Sequence, residues 1–585
     1  MLAQIGFLIM GWRKVGFLLL LALMAVVPFI SALQADFVEW DDDINVTENP
    51  KIHGVDWGNV RWMFGTADRA MRYKPVNWLA WALIYQAQGL RPLGFHLANL
   101  LFHAANTVLL FLILRCMLFL SQENRGGGQN SVPAEVGAVI GALLWAWHPL
   151  RVEPVAWVTG LPYNLALFFM LLSWAAYLLA CRVGEPNRWS CYWLSVGAYI
   201  LAVLSYPIVL FFVAILMAMD IAVLRRFSGG QDRWFSPEVR RVWIEKIPYC
   251  LVAGIALAIT LVGRINPDGQ VGYQTPATLA EFGIGPRVMQ AFYVWAYYVW
   301  KPLVPTDLAI VYPTLIRFNP ASYPFVLSLS GVLLTTLVLF LRWRGSGLLT
   351  LWITYLVVTI PVLGVTETPH FPSDRYGHLP TIAWSVLGAY GIALIWKEVS
   401  PRKLVLCIGA GMILLFGLFS YWQTAVWRNS VTLFEATVES LGDSPYCGDF
   451  AWRLGRLHAL AGDVERAGLW FDRYRKSRLE NLSGHRSAAV FYLGRMDLEN
   501  ALYHADKALG LDRHDTIAFN TLAAIAGQRG DWARARELYE ASLGVEARQP
   551  AMWEKLAEAL ERLGKGEEAA RARARGRNLG GAGGK

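Results

Sequence analysis

The sequence predicts an all-α protein in two parts: a polytopic membrane helical bundle of about eleven spans over residues 1–430, then an α-solenoid over 431–585. Three observations predict it. Of 585 residues, 55% are hydrophobic and only 17% charged, with mean hydropathy +0.36, well above a soluble mixture. Apolar runs near the ~20 residues needed to cross a bilayer recur from the amino end to about residue 426. Beyond them, Gly462-Asp463, Met496-Asp497, Gly530-Asp531 and Gly564-Lys565 recur at a spacing of 34, each followed by an alanine: Ala467, Ala501, Ala535 and Ala569. A turn and a small residue at that period are the signature of tetratricopeptide repeats, whose stacked helix pairs form a concave surface that binds a protein or peptide.

The first apolar run, Val15 to Leu33, follows Arg13 and Lys14 and lacks a clean A-x-A cleavage pattern. It reads as an uncleaved helix with its amino end inside. Further spans are expected at 94–118, 135–149, 160–181, 190–205, 206–224, 246–263, 323–342, 347–364, 379–396 and 403–426. Loop charge sets the orientation: Arg125, Arg182 with Arg188, and Arg225 through Lys246 all fall on the cytoplasmic side. Phe292 to Trp300, "FYVWAYYVW", reads as an interfacial or re-entrant segment, because a twelfth crossing would turn Arg342, Arg344, Lys397, Arg402 and Lys403 outward. An odd number of crossings leaves everything after about residue 427 outside.

Composition excludes several classes. The net charge of +9 is spread over short loops between apolar runs, where it orients a membrane protein rather than binds nucleic acid. The 26 tryptophans and 23 tyrosines suit the bilayer interface. Six cysteines show no CxxC spacing, so neither a disulfide framework nor a zinc site is indicated. No Walker A, Rossmann glycine pattern or metal-ligand spacing is present, and no cofactor is expected. No inverted repeat or pair of broken helices points to a transporter.

The polar clusters gather on the outer side. Asp41, Asp42 and Asp43 follow the first span in "FVEWDDDINVTENP"; "HPLRVEPVAW", His148 to Trp157, ends the third; "TETPHFPSDRYGHLP", Thr366 to Pro380, joins the tenth and eleventh. Adjacent carboxylates under aromatic residues raise each other's pKa, which suits one of them to take a proton from a hydroxyl where water is excluded. His96 and His103, seven apart on one helical face, read as packed inside the bundle, and His148 as interfacial. Asn45 and Asn481 each head an N-glycosylation pattern, which matters only in a secretory pathway.

These stretches, with "PVNWLAWAL", "GFHLANLLFHAANTVLLF" and "DRYGHLP", resemble the membrane domain of the TMTC-type family, the transmembrane and tetratricopeptide O-mannosyltransferase-like proteins with their bacterial relatives, within the GT-C superfamily of polyprenyl-phosphate-sugar glycosyltransferases. The resemblance covers residues 1 to about 430, and the appended repeats match its architecture. It implies a GT-C-like fold, a lipid-linked sugar donor and an outer active site whose acidic pair corresponds to Asp41 and Asp42, with Asp43 an additional carboxylate. It also implies a bacterial inner-membrane location with the repeats in the periplasm. Arg151, Arg264, Arg287 and Arg375 are the outward candidates for the donor phosphate; Arg375 comes first, because Asp374 and Tyr376 flank it in the family-like motif. Its alternative is an ion pair with Asp374 or Glu153. The donor or substrate set is then Arg375, Asp374, Tyr376, Glu153, Arg151 and His148.

One departure stands out. After "EPVAWV" relatives carry a charged segment, whereas here Leu161, Pro162 and Tyr163 follow Thr159-Gly160. An arginine lost there could have held phosphate and an acid a sugar hydroxyl. The expected function is therefore transfer of a sugar from polyprenyl phosphate to a hydroxyl of a protein or glycan acceptor recruited by the repeats. The alternative is a non-catalytic scaffold of the same fold.

Overall fold

The computed structural model describes residues 12–66, 73–123, 132–182, 187–227, 234, 236–265, 283–312, 319–364, 372–398 and 402–581, and every regular element among them is helical. The chain divides into two compact units, Met1–Leu433 and Phe434–Lys585. The division falls inside the helix Ser430–Leu441, three residues past the boundary expected from the sequence.

Every expected span of the first unit coincides with a helix. Seven are long and apolar enough to cross a membrane: Val15–Gln34, Pro92–Glu123, Val158–Ala180, Val239–Gly263, Tyr323–Trp343, Asp374–Trp396 and Lys403–Val426. Three more, Val132–Ala146, Pro207–Val223 and Gly347–Val362, are apolar but shorter. The remaining expected span is the helix Asn187–Ser205, which exposes Trp193, Leu194 and Ile200. The segment read as interfacial or re-entrant is the second half of an unbroken helix, Ile284–Trp300. Its Tyr293, Tyr297 and Tyr298 are buried in protein. Leucines and isoleucines stand exposed along Val239–Gly263 and Tyr323–Trp343, as expected of surfaces solvated by lipid rather than water.

The 32-residue helix Pro92–Glu123 is the centrepiece. It buries Asn99, His103, Asn106, Leu110 and Leu114 and packs against the first helix, Val132–Ala146 and Leu161–Ala180. Its two asparagines reach across the bundle, Asn99 Nδ2 donating to the Trp157 carbonyl at 2.7 Å and Asn106 Nδ2 to that of Asn164 at 3.0 Å, while Asn164 Nδ2 donates to the Pro154 carbonyl at 2.7 Å. His103, as expected, is packed inside, with Nε2 3.2 Å from the Ala146 carbonyl. His96 is likewise buried.

The second unit is the predicted solenoid. Helix pairs follow one another from Cys447–Leu460 with Val464–Ser477 to Pro550–Arg562 with Gly566–Gly581. The alanines at the 34-residue period are fully buried. Asp463, Asp497 and Asp531 cap the second helix of a pair by accepting from the backbone of Arg466, Asn500 and Arg534 at 3.0–3.2 Å. The turn residue before each cap is left-handed, with φ 79° at Gly462 and 81° at Gly530, but also φ 60° at Met496.

Candidate active site

The loop after the first span begins where the 3-10 turn Val27–Gln34 ends. Two bonds strap it to the end of the last span: Asp36 N–H donates to the Arg428 carbonyl at 2.9 Å, and Glu39 N–H to Ser430 Oγ at 2.8 Å. The chain then turns inward. Asp42 is fully buried and accepts three hydrogen bonds, from Val38 N–H at 3.0 Å, Thr159 N–H at 3.0 Å and Thr159 Oγ1 at 2.6 Å. Burial pushes its pKa up to about 7 against the pull of those donors, and the Asp41 charge adds the smallest part. The mutual effect of the pair, expected as the cause, is thus secondary to desolvation.

Asp41, one peptide away, is partly open and left-handed at φ 69°. Its carbonyl accepts both Asn45 N–H and Asn45 Nδ2 at 2.9 Å, while Asn45 Oδ1 takes Lys74 Nζ at 3.0 Å. The amide of the first glycosylation pattern is thus spent on folding the loop. Asp43 opens the π-helical turn Asp43–Thr47, and its Oδ1 is buried without a hydrogen-bond partner.

The facing wall is the segment 153–163. Trp157 donates through Nε1 to the Trp40 carbonyl at 2.9 Å, and its ring carries the Arg375 guanidinium at 5.2 Å. Arg375 also lies 5.0 Å over Tyr376 and is ion-paired with Glu153. The Glu153 carboxylate, nearly closed to solvent, further accepts Ser373 Oγ at 2.9–3.0 Å and Arg375 N–H at 2.7 Å. Asp41 lies within electrostatic range of Arg375. Gly160 is required here, because a Cβ would stand 2.3 Å from the Pro154 carbonyl oxygen.

Asp41, Asp42, Glu153, Arg375 and Tyr376 therefore come together. The other expected residues do not. Asp374 turns away into a tyrosine cage, accepting from Tyr312 at 2.7 Å and Tyr297 at 3.4 Å. Arg151 is fully buried and donates to the carbonyls of Gly377 and His378 and to Thr381 Oγ1. A guanidinium committed in this way is a strut between loops, not an outward phosphate ligand. His148 is equally committed, with Nε2 2.9 Å from the Pro302 carbonyl and Nδ1 accepting Leu150 N–H at 3.2 Å. Arg287 is buried on the helix Ile284–Trp300. The side chain of Arg264 and residues 366–371, in the loop before Asp374, lie outside the described residues.

Thr159, Ser373 and Lys74 were not singled out from the sequence. Thr159 lies just before Leu161-Pro162-Tyr163, where Tyr163 bonds to the Tyr206 hydroxyl at 3.3 Å and faces Tyr376 at 6.2 Å. No short-range pattern marks any of the three. Only Lys74, the one cation of "YKPVNW" before an apolar helix, carried a hint. Among the described residues, no three His, Cys, Asp or Glu side chains form a metal-ligand group.

A tetratricopeptide-repeat family model matches residues 420–480 and 520–576. Among curated proteins, the human Protein O-mannosyl-transferase TMTC4 is 22% identical over 489 residues, covering 73% of this chain and 61% of the human protein. Protein O-mannosyl-transferase F38B6.6 of Caenorhabditis elegans is 22% identical over 469 residues, with coverage of 77% and 61%. The human Protein O-mannosyl-transferase TMTC3 is 21% identical over 400 residues, 63% of this chain and 40% of that protein. The chain thus spans about three fifths of the length of the first two.

Proposed function

We infer from the chain's kinship with the TMTC-type transmembrane and tetratricopeptide proteins that it is an integral-membrane glycosyltransferase, taking a sugar from a polyprenyl-phosphate donor to a hydroxyl of a protein or glycan acceptor. The observation that carries the reading is the paired carboxylates of the first outer loop, one buried and one open, set against a wall that holds an arginine. The two have different tasks. Asp42 is enclosed, with three donors on its oxygens, so it positions the Asp41 peptide and the Thr159 turn. Asp41 is the group an acceptor can reach, and it takes the hydroxyl proton as the acceptor oxygen attacks the anomeric carbon. The bond from that carbon to the phosphate oxygen breaks with its electron pair, the configuration inverts, and polyprenyl phosphate leaves.

Arg375, fixed by Glu153 and the faces of Trp157 and Tyr376, offsets the charge that develops on the leaving phosphate. The repeats raise the local concentration of the acceptor. In this reading the loop and the repeats face the periplasm of a bacterial inner membrane. The Tyr163–Tyr206 contact in place of the family's charged segment favours the scaffold alternative, in which the fold persists without turnover and the repeats assemble periplasmic proteins.

Purified protein in nanodiscs, supplied with polyprenyl-phosphate mannose and other lipid-linked hexoses, tests the reading. Asp41→Asn should lower transfer by about 10²–10⁴ while leaving expression and melting temperature unchanged. Undiminished transfer by Asp41→Asn would remove Asp41 as the base. No turnover by the parent with any donor, together with retained partner binding by the repeats, would establish the scaffold.

A further inference from the structure

The helix Leu161–Ala180 starts beside the aspartate loop and, with 20 residues, ends about 30 Å away. There it meets a second polar cluster that sugar transfer does not use. Asp220, fully buried on the π-helical turn Met219–Val223, holds Lys246 Nζ at 2.6 Å and Arg226 Nη1 at 3.2 Å, and accepts from the Tyr177 hydroxyl at 2.8 Å. Glu245, also buried, is shared by three guanidinium groups: Arg188 Nη2 at 2.5 Å, Arg226 Nη1 at 2.7 Å and Arg241 Nε at 3.7 Å.

Four cations thus meet at these two carboxylates, and two of the four reach the rim. The Arg241 side chain is 52% exposed and that of Arg188 23%. Both rim arginines flank one indole, Arg188 at 5.9 Å and Arg241 at 5.6 Å from the ring of Trp189, and Trp189 and Trp193 are themselves exposed. The asymmetry extends beyond the cluster. Residues 177–193 and 219–250 carry eight basic and five acidic residues, whereas residues 35–56 at the other end of the bundle carry one basic and seven acidic.

Exposed indoles settle at the headgroup level of a bilayer. Guanidinium forks held by a carboxylate behind them present fixed donors to a phosphodiester, and surplus positive charge at that level attracts anionic lipid. We propose that this end of the bundle, on the membrane face opposite the aspartate loop, binds an anionic glycerophospholipid with its phosphate on Arg188 and Arg241 beside Trp189. The proposal does not rest on the transferase reading.

Native mass spectrometry of the full chain in detergent, titrated with phosphatidylglycerol or with phosphatidylcholine of the same acyl chains, tests it. The parent should prefer phosphatidylglycerol. Arg241→Gln, at a half-exposed side chain, should weaken that binding about fivefold, and Arg188→Gln with Arg241→Gln should remove the preference, at ~1 kcal/mol for each arginine near the surface. Asp41→Asn should leave it intact. Equal binding of the two lipids by the parent, an unchanged preference in both arginine variants, or displacement of phosphatidylglycerol by equimolar inorganic phosphate would each overturn the assignment.

Discussion

Thr159 supplies two of the three hydrogen bonds on Asp42, and the shorter comes from its hydroxyl. That hydroxyl favours the charged carboxylate, whereas burial opposes it and prevails, leaving the pKa near 7. Because this is above the ordinary carboxylate value of 3.8, between the two values the native state holds a proton there that the unfolded chain has released. The group's contribution to stability is therefore complete below about pH 3.8 and declines as pH rises through 7. Thr159→Val keeps the branched shape and removes only the hydroxyl. At pH 8, where Asp42 is mostly ionised, it should cost about 1.5–3 kcal/mol, and at pH 5.5, where a neutral bond is lost instead, about 1 kcal/mol. Thermal melting at the two pH values checks this, and an equal drop at both would show that Asp42 does not titrate in this range. Burial also gives Asp42 a structural part that the open Asp41 lacks. Asp42→Asn would set an amide N–H₂ against the Val38 or Thr159 donor, so it should destabilise the loop where Asp41→Asn does not.

Among the repeats, the instructive element is the turn between Leu482–Gly494 and Leu498–Leu511. The same left-handed turn is made by glycine at Gly462, Gly530 and Gly564, but by Met496 here. A left-handed non-glycine residue costs about 1–2 kcal/mol, and the Met496 side chain is mostly exposed, so little packing offsets it. Met496→Gly should stabilise the excised repeats, residues 430–585, by about 1 kcal/mol after the added freedom of the unfolded chain is deducted. Urea unfolding followed by circular dichroism measures it; a lower midpoint for the glycine variant would show that the methionine is held by packing. The excision is reasonable because the repeats have cores of their own, around Phe471 and Tyr474 and around Tyr539 and Leu560. This element was legible in advance down to its alanines, because each repeat packs mainly on its neighbours and writes its geometry at a fixed period. The wall facing the aspartates was not. Thr159 meets Asp42 across 117 positions and Ser373 meets Glu153 across 220, and no local periodicity records such a meeting. The acidic loop and the "DRYGHLP" arginine were visible as clustered charge beside apolar runs. That Arg151 and His148 are struts was hidden, since a buried and an exposed cation are spelled alike.

At the scale of the membrane unit, the first loop and the last span are closed on each other by the Asp36–Arg428 and Glu39–Ser430 bonds, the second across 391 positions. Closing so long a stretch is entropically unfavourable unless the intervening helices have already packed. A cysteine at Glu39, in a background with the six native cysteines replaced, should therefore react with a soluble thiol reagent several-fold faster in chains ending at residue 400 than in chains ending at 433. Equal rates would mean that the loop is ordered without its strap. The order of synthesis gives the strap a further meaning. A ribosome delivers the aspartates early and Ser430 almost four hundred residues later, so during most of translation the loop that carries them is unfastened. The half-made protein is in effect a lock without its bolt: the loop that carries Asp41 and Asp42 stays unfastened until the last helix of the membrane unit has been made.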